Sequence, residues 1–293
     1  MTDSASSKYV DLHVHTTCSD GTLTPEEVVE KAYKENIGVV AITDHDNVSG
    51  IFRAKEAAKK YGINVISGIE CSTECKTGTL HILGYYIDPN NENINNFIKE
   101  CQKNRIERIN KIINKLENLG FDITFDEVKK VSNNGSIGRP HIARVMFEKG
   151  YISSVKECFE KYIGRGMPAY VPKINPSLEE VLYAIKSSGG IAILAHPLQM
   201  KCGTIEDTIR EVERLVKLGI EGVESIYPAH DMSENTIFST FTKTKNIYIT
   251  CGSDFHGENK TIQLGNCYYN EKKISLEELE SIGKTFLWVR IEV

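Results

Sequence analysis

The sequence predicts an α/β barrel with a helical segment inserted between two of its strands. Apolar, β-branched runs alternate with helical patterns at both ends of the chain, candidate metal ligands accompany these runs, and the alternation stops in the middle. Alternating strands and helices favour a parallel sheet. An open sheet cannot easily bring ligands from at least six strand ends together, whereas the loops of a closed barrel converge on one face.

Seven segments have the length and composition of buried strands. They are Tyr9–His15, Gly38–Thr43, Asn64–Ile69, Leu80–Ile87, Ile191–Ala195, Gly222–Tyr227 and Ile247–Cys251. Helix starts are indicated by Thr24-Pro25-Glu26-Glu27 and Ser177-Leu178-Glu179-Glu180, where an N-cap hydroxyl precedes a capping-box glutamate. Gly189 and Gly219 follow helix ends, where a left-handed residue is favoured.

The middle of the chain, from residue 88 to residue 176, shows helical patterns and no clear strand. Ile94–Leu119 has apolar residues at helical spacing, and Pro140–Glu148 and Val155–Ile163 indicate two further helices. We therefore predict a barrel domain made of residues 1–87 and 177–293. Residues 88–176 are predicted to form a helical subdomain that covers the active site.

Composition narrows the class of protein. The chain has 293 residues, 40% of them hydrophobic, 26% charged, and a net charge of −5. No apolar run approaches the roughly 18 to 20 residues of a membrane span, and the N-terminus lacks the apolar core of a signal peptide. We therefore expect a cytoplasmic protein with eight reduced cysteines, no membrane partner and no large nucleic-acid surface. A small anionic ligand suits this chain better.

Six of the eight histidines lie in short motifs, and each motif closes a predicted strand. The motifs are Asp11-Leu12-His13-Val14-His15, Thr43-Asp44-His45, Leu80-His81, Ala195-His196-Pro197 and Gly252-Ser253-Asp254-Phe255-His256. The carboxylates of Asp20, Glu70 and Asp254 fall in the same places. His13 and His15 flank one strand residue, so both side chains point the same way. This pattern predicts one shared, polynuclear metal site.

Mixed imidazole and carboxylate ligands suit zinc, manganese or iron, and no all-oxygen calcium cage is visible. We expect two to three divalent ions, Mn²⁺, Zn²⁺ or Fe²⁺. Closely spaced ions can bind phosphate oxygens and a hydroxide that attacks phosphorus. Cys18 and Ser19 lie near the motifs but have no obvious base partner, so a covalent mechanism is not favoured.

Taken in order, these motifs resemble those of the polymerase-and-histidinol-phosphatase (PHP) superfamily of metal-dependent phosphoesterases, across both barrel halves. The resemblance implies a distorted seven-stranded barrel of the PHP type with three metal ions. It implies three ligand sets: His13, His15, Glu70 and Asp254; Glu70, His81 and His196; and Asp20, His45 and His256. Glu70 would bridge two ions, and Glu70, Asp254 and His196 would be central to catalysis. Asp44 would orient a ligand histidine through a hydrogen bond.

Two histidines lie outside these motifs. His141 stands in Gly138-Arg139-Pro140-His141-Ile142-Ala143-Arg144, which resembles a PHP branch that includes nucleoside 3′,5′-bisphosphate phosphatases and 5′-to-3′ exoribonucleases. A helix start beside an arginine is a natural phosphate seat, so Arg139 and His141 are predicted to bind substrate. His230 follows a strand end and is a further candidate. The alternative for the segment with Arg139 and His141 is a solvated helix face, and the alternative for His230 is an exposed loop.

The sequence thus predicts a metal-dependent phosphomonoesterase that acts on a small nucleotide, a nucleoside 3′,5′-bisphosphate or mononucleotide, or on the 5′ end of a short RNA. Histidinol phosphatase is the alternative within the superfamily. An amidohydrolase-type deaminase or amidase would share His-x-His and a late aspartate, but not the ligands for a third ion. A non-catalytic, metal-stapled binding module is the third class, and there we would expect ligands to be missing.

Overall fold

The computed structural model describes residues 8–132 and 136–287. The chain divides into two compact units. The first comprises the residues up to Asn95 and those from Pro176 onward, and the second is Asn96–Asn175. That residues 88–176 form an inserted subdomain over the active site stays a prediction.

The first unit holds a seven-stranded sheet whose strands follow one another in chain order. All seven predicted strands are present, with ends shifted by a few residues. They are β1 Tyr9–Val14, β2 Ile37–Ile42, β3 Asn64–Thr73, β4 Leu80–Tyr85, β5 Ile191–Leu194, β6 Gly222–Ile226 and β7 Tyr248–Cys251. A two-stranded hairpin, β8 Tyr268–Tyr269 and β9 Lys272–Lys273, follows.

The sheet is mostly parallel, but β4 runs antiparallel to both β3 and β5. The expectation of a parallel sheet is therefore wrong at this strand. Residues 74–79, which join β3 to β4, are too few for the crossover that a parallel pair requires. Because of this reversal, the first residues of β4 lie at the edge where the other six strands end.

Helices occupy most of the connections. They are α1 Pro25–Lys34, α2 Gly50–Tyr61, α3 Glu92–Asn118, α4 Phe125–Val131, α5 Arg139–Glu148, α6 Val155–Cys158, α7 Leu178–Ser187, α8 Ile205–Lys217, α9 Met232–Lys245 and α10 Leu276–Ile282. The predicted capping boxes of α1 and α7 are both formed. Gly189 and Gly219 have the positive φ expected after a helix, 81° and 116°. No described helix has both the length and the apolar character needed to cross a membrane.

The core of the first unit lies on both faces of the sheet. Every residue of β2 is buried. Val39 and Ala41 pack into one apolar cluster, whereas Ile37, Val40 and Ile42 join a second cluster with residues of α1 and α2. Burial on both faces explains why this strand is continuously apolar rather than alternating.

The second unit is helical and has its own core, to which Ile109, Ile112 and Leu116 of α3 contribute. The sequence patterns missed α4, which begins after a capping box between Thr124 and Glu127. The helix predicted over Val155–Ile163 is α-helical only to Cys158 and continues as a π-helix over Phe159–Ile163. Such π-turns occur often near functional sites.

Candidate metal centre

The candidate ligands gather at one edge of the sheet in the first unit. His13 lies in β1, His45 follows β2, and Glu70 lies within β3. His81 is the second residue of β4, so it opens its strand, contrary to the expectation that every motif closes one. It still reaches the same edge because β4 is reversed. His196 and Asp254 follow β5 and β7.

The carboxylate of Glu70 lies at the centre of this group. Its Oε1 is 2.7 Å from Nδ1 of His81 and 3.0 Å from Nε2 of His196. Its Oε2 is 3.4 Å from Nε2 of His13, 3.2 Å from Nε2 of His15 and 3.1 Å from Nδ1 of His45. One fully buried carboxylate therefore contacts five imidazoles through two oxygens that face different ligands.

The first ligand group is His13, His15, Glu70 and Asp254, all buried, with one ligand atom from each within 4.8 Å of the others. The Nε2 atoms of His13 and His15 are 3.1 Å apart. Oδ1 of Asp254 lies 3.6 Å and 3.3 Å from these two nitrogens. Two imidazole nitrogens and two carboxylate oxygens thus face a common point, as ligands of one ion do.

A second group surrounds Asp20, which is about one-third exposed and lies at the rim. Its Oδ1 is 3.3 Å from Nε2 of His256 and 3.7 Å from Nδ1 of His15, and its Oδ2 is 4.0 Å from Nε2 of His45. These four residues can meet around one ion. The sequence-based set had Asp20, His45 and His256, and the structure adds His15.

The third group in the described part of the chain is His45, Glu70 and His81. The sequence-based set had His196 in place of His45. His196 is nevertheless in contact with Oε1 of Glu70, and its ring lies 5.2 Å from that of His81. The assignment of each ligand to a particular ion stays a prediction.

The chemistry of these donors fits divalent cations. Oε2 of Glu70 and Nδ1 of His45 are buried and make no well-aligned hydrogen bond, although they lie 3.1 Å apart. Buried polar atoms normally find partners. Two buried donor atoms that face each other without a hydrogen bond are an arrangement that a metal ion between them satisfies.

The pKa shifts of the candidate ligands also indicate that this site favours bound positive charge. Burial raises the pKa of Glu70, but the imidazoles of His45 and His81 outweigh burial and hold that pKa well below its usual range. Burial lowers the pKa of His15, but the adjacent carboxylates of Asp254 and Glu70 raise it to about 9. Burial dominates for His45 and lowers its pKa to about 3. The carboxylates stay ionised because imidazoles surround them, protonated His15 among them.

Asp254 has its two oxygens engaged on different sides. Oδ1 faces the histidines, whereas Oδ2 accepts a hydrogen bond from the Tyr227 hydroxyl at 2.9 Å and one from Nζ of Lys260 at 2.6 Å. Asp254 also has a left-handed backbone, with φ of 54°. His196 is likewise unusual, with φ of 25°. Strain of this kind concentrates at functional sites.

Asp44 does not bond to a histidine directly. Its carboxylate accepts hydrogen bonds from the backbone N–H and hydroxyl of Thr16, each at 2.8 Å, and from the hydroxyl of Ser19 at 2.6 Å. Ser19 Oγ is 3.4 Å from Nδ1 of His15. Asp44 therefore acts on His15 through Ser19, one residue further out than the sequence-based expectation.

The residues predicted to bind substrate have these local surroundings. In the second unit, Arg139 donates from Nη1 to the carbonyl of Ile163 at 3.2 Å, and its guanidinium lies 5.3 Å from the ring centre of Phe159. Nδ1 of His141 accepts the Gly138 backbone N–H at 2.9 Å, which closes the start of α5.

In the first unit, His230 is buried, and its ring packs against Tyr227 at 5.3 Å and Phe238 at 5.2 Å. Tyr227 in turn packs against His196 at 5.5 Å. Direct contact of His230, Arg139 or His141 with substrate stays a prediction.

Sequence reasoning missed three residues of the site: Tyr227, Lys260 and Glu224. Tyr227 carried a weak signal, because it ends a predicted strand and stands directly before Pro228-Ala229-His230. Lys260 and Glu224 lie in no recognisable motif. Glu224 contacts a histidine 211 positions away, and no short spacing in a sequence indicates such a pair.

Comparison with known proteins gives consistent matches. Residues 11–167 match the PHP domain family. The chain is 32% identical over 271 residues to the 5′-3′ exoribonuclease Rnm of Escherichia coli, covering 90% of this chain and 91% of that protein. It is 33% identical over 252 residues to the 3′,5′-nucleoside bisphosphate phosphatase of Chromobacterium violaceum, covering 84% and 87%.

Among solved structures, one from Bifidobacterium adolescentis, provisionally assigned as a metal-dependent phosphoesterase, superposes with a TM-score of 0.79. The two chains are 28% identical, and the match covers 96% of this chain and 98% of the other. The likeness therefore extends over nearly the whole of both chains.

Proposed function

The chain belongs to the PHP domain family and is a metal-dependent phosphoesterase, and we propose that it releases phosphate from a small nucleotide. The proposed substrate is a nucleoside 3′,5′-bisphosphate or a related mononucleotide. The 5′ end of a short RNA presents the same groups and is a second form of this substrate class. The observation that carries the proposal is the Glu70 carboxylate, which contacts five imidazoles.

Two to three divalent ions, Mn²⁺, Zn²⁺ or Fe²⁺, are proposed for this site. Bound there, they supply Lewis-acid binding of phosphate oxygens and an activated water. His13, His15 and Asp254 would hold one ion, and Asp20 and His256 another. Glu70 is proposed to bridge ions, since its two oxygens face different histidines. These roles rest on the geometry of the donors and on the family resemblance.

Residues of this chain supply the remaining parts of the reaction. Tyr227 and Lys260 hold Oδ2 of Asp254, so Oδ1 stays directed at His13 and His15. The Lys260 ammonium is partly exposed, and we propose that it also contacts the phosphate that is cleaved. Ser19 donates a hydrogen bond to Asp44 at 2.6 Å and lies 3.4 Å from Nδ1 of His15, and we propose that it orients His15 rather than attacking phosphorus.

A second phosphate needs its own cationic group, and we propose that Arg139 and Arg108 provide it. Arg108 donates from Nε to the carbonyl of Val171 at 2.9 Å. Burial and the nearby charges of Arg139 and Arg105 lower the pKa of Arg108 to about 10. A guanidinium has five N–H donors, and these contacts with carbonyls use few of them. Arginines gathered this closely are stabilised by an anion. His141 and His230 are retained as proposed substrate contacts.

We also propose that the sheet closes into the distorted barrel that the sequence predicted. Val14 forms a parallel bridge with Phe255, which follows β7, and the His15 N–H donates to the Phe255 carbonyl at 2.9 Å. These contacts join the first strand to the segment after the last. Closure would hold His15 and Asp254 in a fixed relation.

The test is phosphate release measured over a panel of substrates with Mn²⁺ supplied. The panel contains nucleoside 3′,5′-bisphosphates, mononucleotides, histidinol phosphate and short 5′-phosphorylated RNAs. We expect bisphosphates or RNA ends to have the highest kcat/KM. A preference for histidinol phosphate would replace the nucleotide assignment with the alternative inside the family.

A further inference from the structure

Glu224, in the middle of β6, is fully buried and is not one of the nine candidate ligands. Its two oxygens nevertheless contact two of them. Oε1 is 2.9 Å from Nδ1 of His13, and Oε2 accepts the backbone N–H of His196 at 2.8 Å. A single buried carboxylate therefore touches one histidine through its ring and another through its main chain.

The surroundings fix this carboxylate closely. Gly252 lies beside it after β7, and a Cβ at Gly252 would collide with the Cβ of His13 and lie 2.5 Å from Oε1 of Glu224. Only a residue without a side chain leaves room for both groups. The space around Glu224 is thus formed by strands β1, β6 and β7 together, and the carboxylate has little freedom to move away from His13.

The chemistry of the contacts determines where protons lie. A carboxylate accepts hydrogen bonds but cannot donate them, so both of its neighbours must be donors. In the neutral ring of His13, the proton therefore lies on Nδ1 and the lone pair on Nε2. That nitrogen is the one that faces Oε2 of Glu70 and Oδ1 of Asp254.

The contact with His196 restrains the main chain. His196 has φ of 25°, which is costly for a residue other than glycine, and Pro197 follows it. The hydrogen bond from the His196 N–H to Glu224 helps to hold this conformation, and in it Nε2 of His196 reaches Oε1 of Glu70.

We propose that Glu224 is a positioning residue for the metal centre: it selects the Nδ1–H tautomer of His13 and holds the backbone of His196, so that both rings present Nε2 to the ions. A carboxylate behind a metal-bound histidine is known to fix the ring and strengthen the ligand. The proposal rests on the metal centre of the proposed function, and it does not depend on which phosphoester is cleaved.

The test is a titration of the Glu224→Gln variant with Mn²⁺. Electron paramagnetic resonance measures the free Mn²⁺ at each step and so gives the affinity. A glutamine has the same shape but only one accepting oxygen, so it cannot satisfy two donors. Either the His13 proton moves to Nε2 or the His196 contact breaks. Losses of this kind are typically about 10- to 100-fold in metal affinity, and we expect the same range here.

Glu221→Gln is the matched control. Glu221 precedes β6 and accepts the Ala192 backbone N–H at 3.0 Å, so it is also a carboxylate bonded to β5, but it contacts none of the nine ligands. We expect wild-type Mn²⁺ affinity in this variant. An affinity of Glu224→Gln within twofold of wild type, or equal losses in both variants, would overturn the proposal.

A measurement on the wild-type protein decides the question if Glu224→Gln does not fold. In protein loaded with ¹¹³Cd²⁺ and labelled with ¹⁵N-histidine, His13 should show cadmium coupling at Nε2 and a proton on Nδ1. Coupling at Nδ1 would overturn the proposal. If these metal results hold while no phosphoester is hydrolysed, the proposed function fails and the role of Glu224 stands.

Discussion

Nδ1 of His81 lies 2.7 Å from Oε1 of Glu70, and the two residues belong to neighbouring antiparallel strands. This pair joins the beginning of β4 to the middle of β3. It exists because six residues connect these strands and force a hairpin. The reversed strand brings its first residues to the edge where the other strands end, and Oε1 of Glu70 thereby contacts a second imidazole besides that of His196.

The first prediction compares Glu70→Gln with Asp44→Asn. Glu70 contacts five imidazoles, whereas Asp44 bonds to Thr16 and Ser19 and acts on His15 only through Ser19. Losing an orienting group typically costs about 10- to 100-fold, and we expect Glu70→Gln to lose clearly more. The measurement is kcat/KM at saturating Mn²⁺, with folding checked by circular dichroism. Comparable activities in the two variants would contradict the assignment.

The seven strands, and the gathering of the nine candidate ligands at one edge of the sheet, could be predicted from the sequence. Both follow from local patterns, since each strand is a short apolar run and each ligand motif sits beside one. The direction of β4 was missed because strand periodicity contains no information on orientation. The absence of a helical pattern in residues 74–79 was the available signal.

Other parts of the site could not be predicted, for physical reasons. Glu224 and Lys260 act through contacts made only when distant strands and loops pack together. Residue spacing predicts a helix over Val155–Ile163 but does not distinguish the π-helix at Phe159–Ile163 from an α-helix. Asp44 was expected to orient a ligand histidine through a direct hydrogen bond. In the folded chain its carboxylate instead accepts hydrogen bonds from Thr16 and Ser19, in the turn that follows β1.

The second prediction concerns the second phosphate. Arg139→Ala should raise KM for a 3′,5′-bisphosphate more than it lowers kcat, because the contact is present in both ground and transition states. A hydrogen bond to a charged group is worth about 1.5 to 3 kcal/mol, or roughly 10- to 150-fold in kcat/KM. Metal content should not change.

Arg144→Ala is the control for this variant. Arg144 lies on the same helix, is largely exposed and pairs with Glu148 at 3.0 Å. It should leave KM and selectivity unchanged. If Arg139→Ala also keeps the wild-type preference for bisphosphates over monophosphates, then Arg139 has no part in substrate binding.

The third prediction concerns Lys260. Its ammonium lies 2.6 Å from Asp254 at the metal edge, and Lys260→Ala should lower kcat/KM by about 10-fold, the low end for a charged hydrogen bond at a partly exposed position. Lys245→Ala removes a comparable, exposed ion pair with Glu213 at 2.7 Å, whose two residues are not among the candidate ligands. Steady-state kinetics of both variants test this, and equal activities would refute a role for Lys260.

The fourth prediction concerns stability. Oε2 of Glu70 and Nδ1 of His45 are buried without a well-aligned hydrogen bond, and bound cations would satisfy them, so Mn²⁺ should raise the melting temperature of chelator-treated protein. Binding at 100 times Kd contributes about 2.7 kcal/mol. Differential scanning calorimetry should show an increase in wild type and a smaller one in Glu70→Gln. An identical increase in both would mean that Mn²⁺ acts elsewhere.

The most direct test of the central claim is release of inorganic phosphate from a nucleoside 3′,5′-bisphosphate by the purified chain, after chelation and again after Mn²⁺ is restored. We expect no release without metal, recovery with Mn²⁺, and a nucleoside monophosphate as the second product. Glu70→Gln should release little under either condition. Undiminished release after complete metal removal, or none from any nucleotide in the fully metal-loaded protein, would contradict this account.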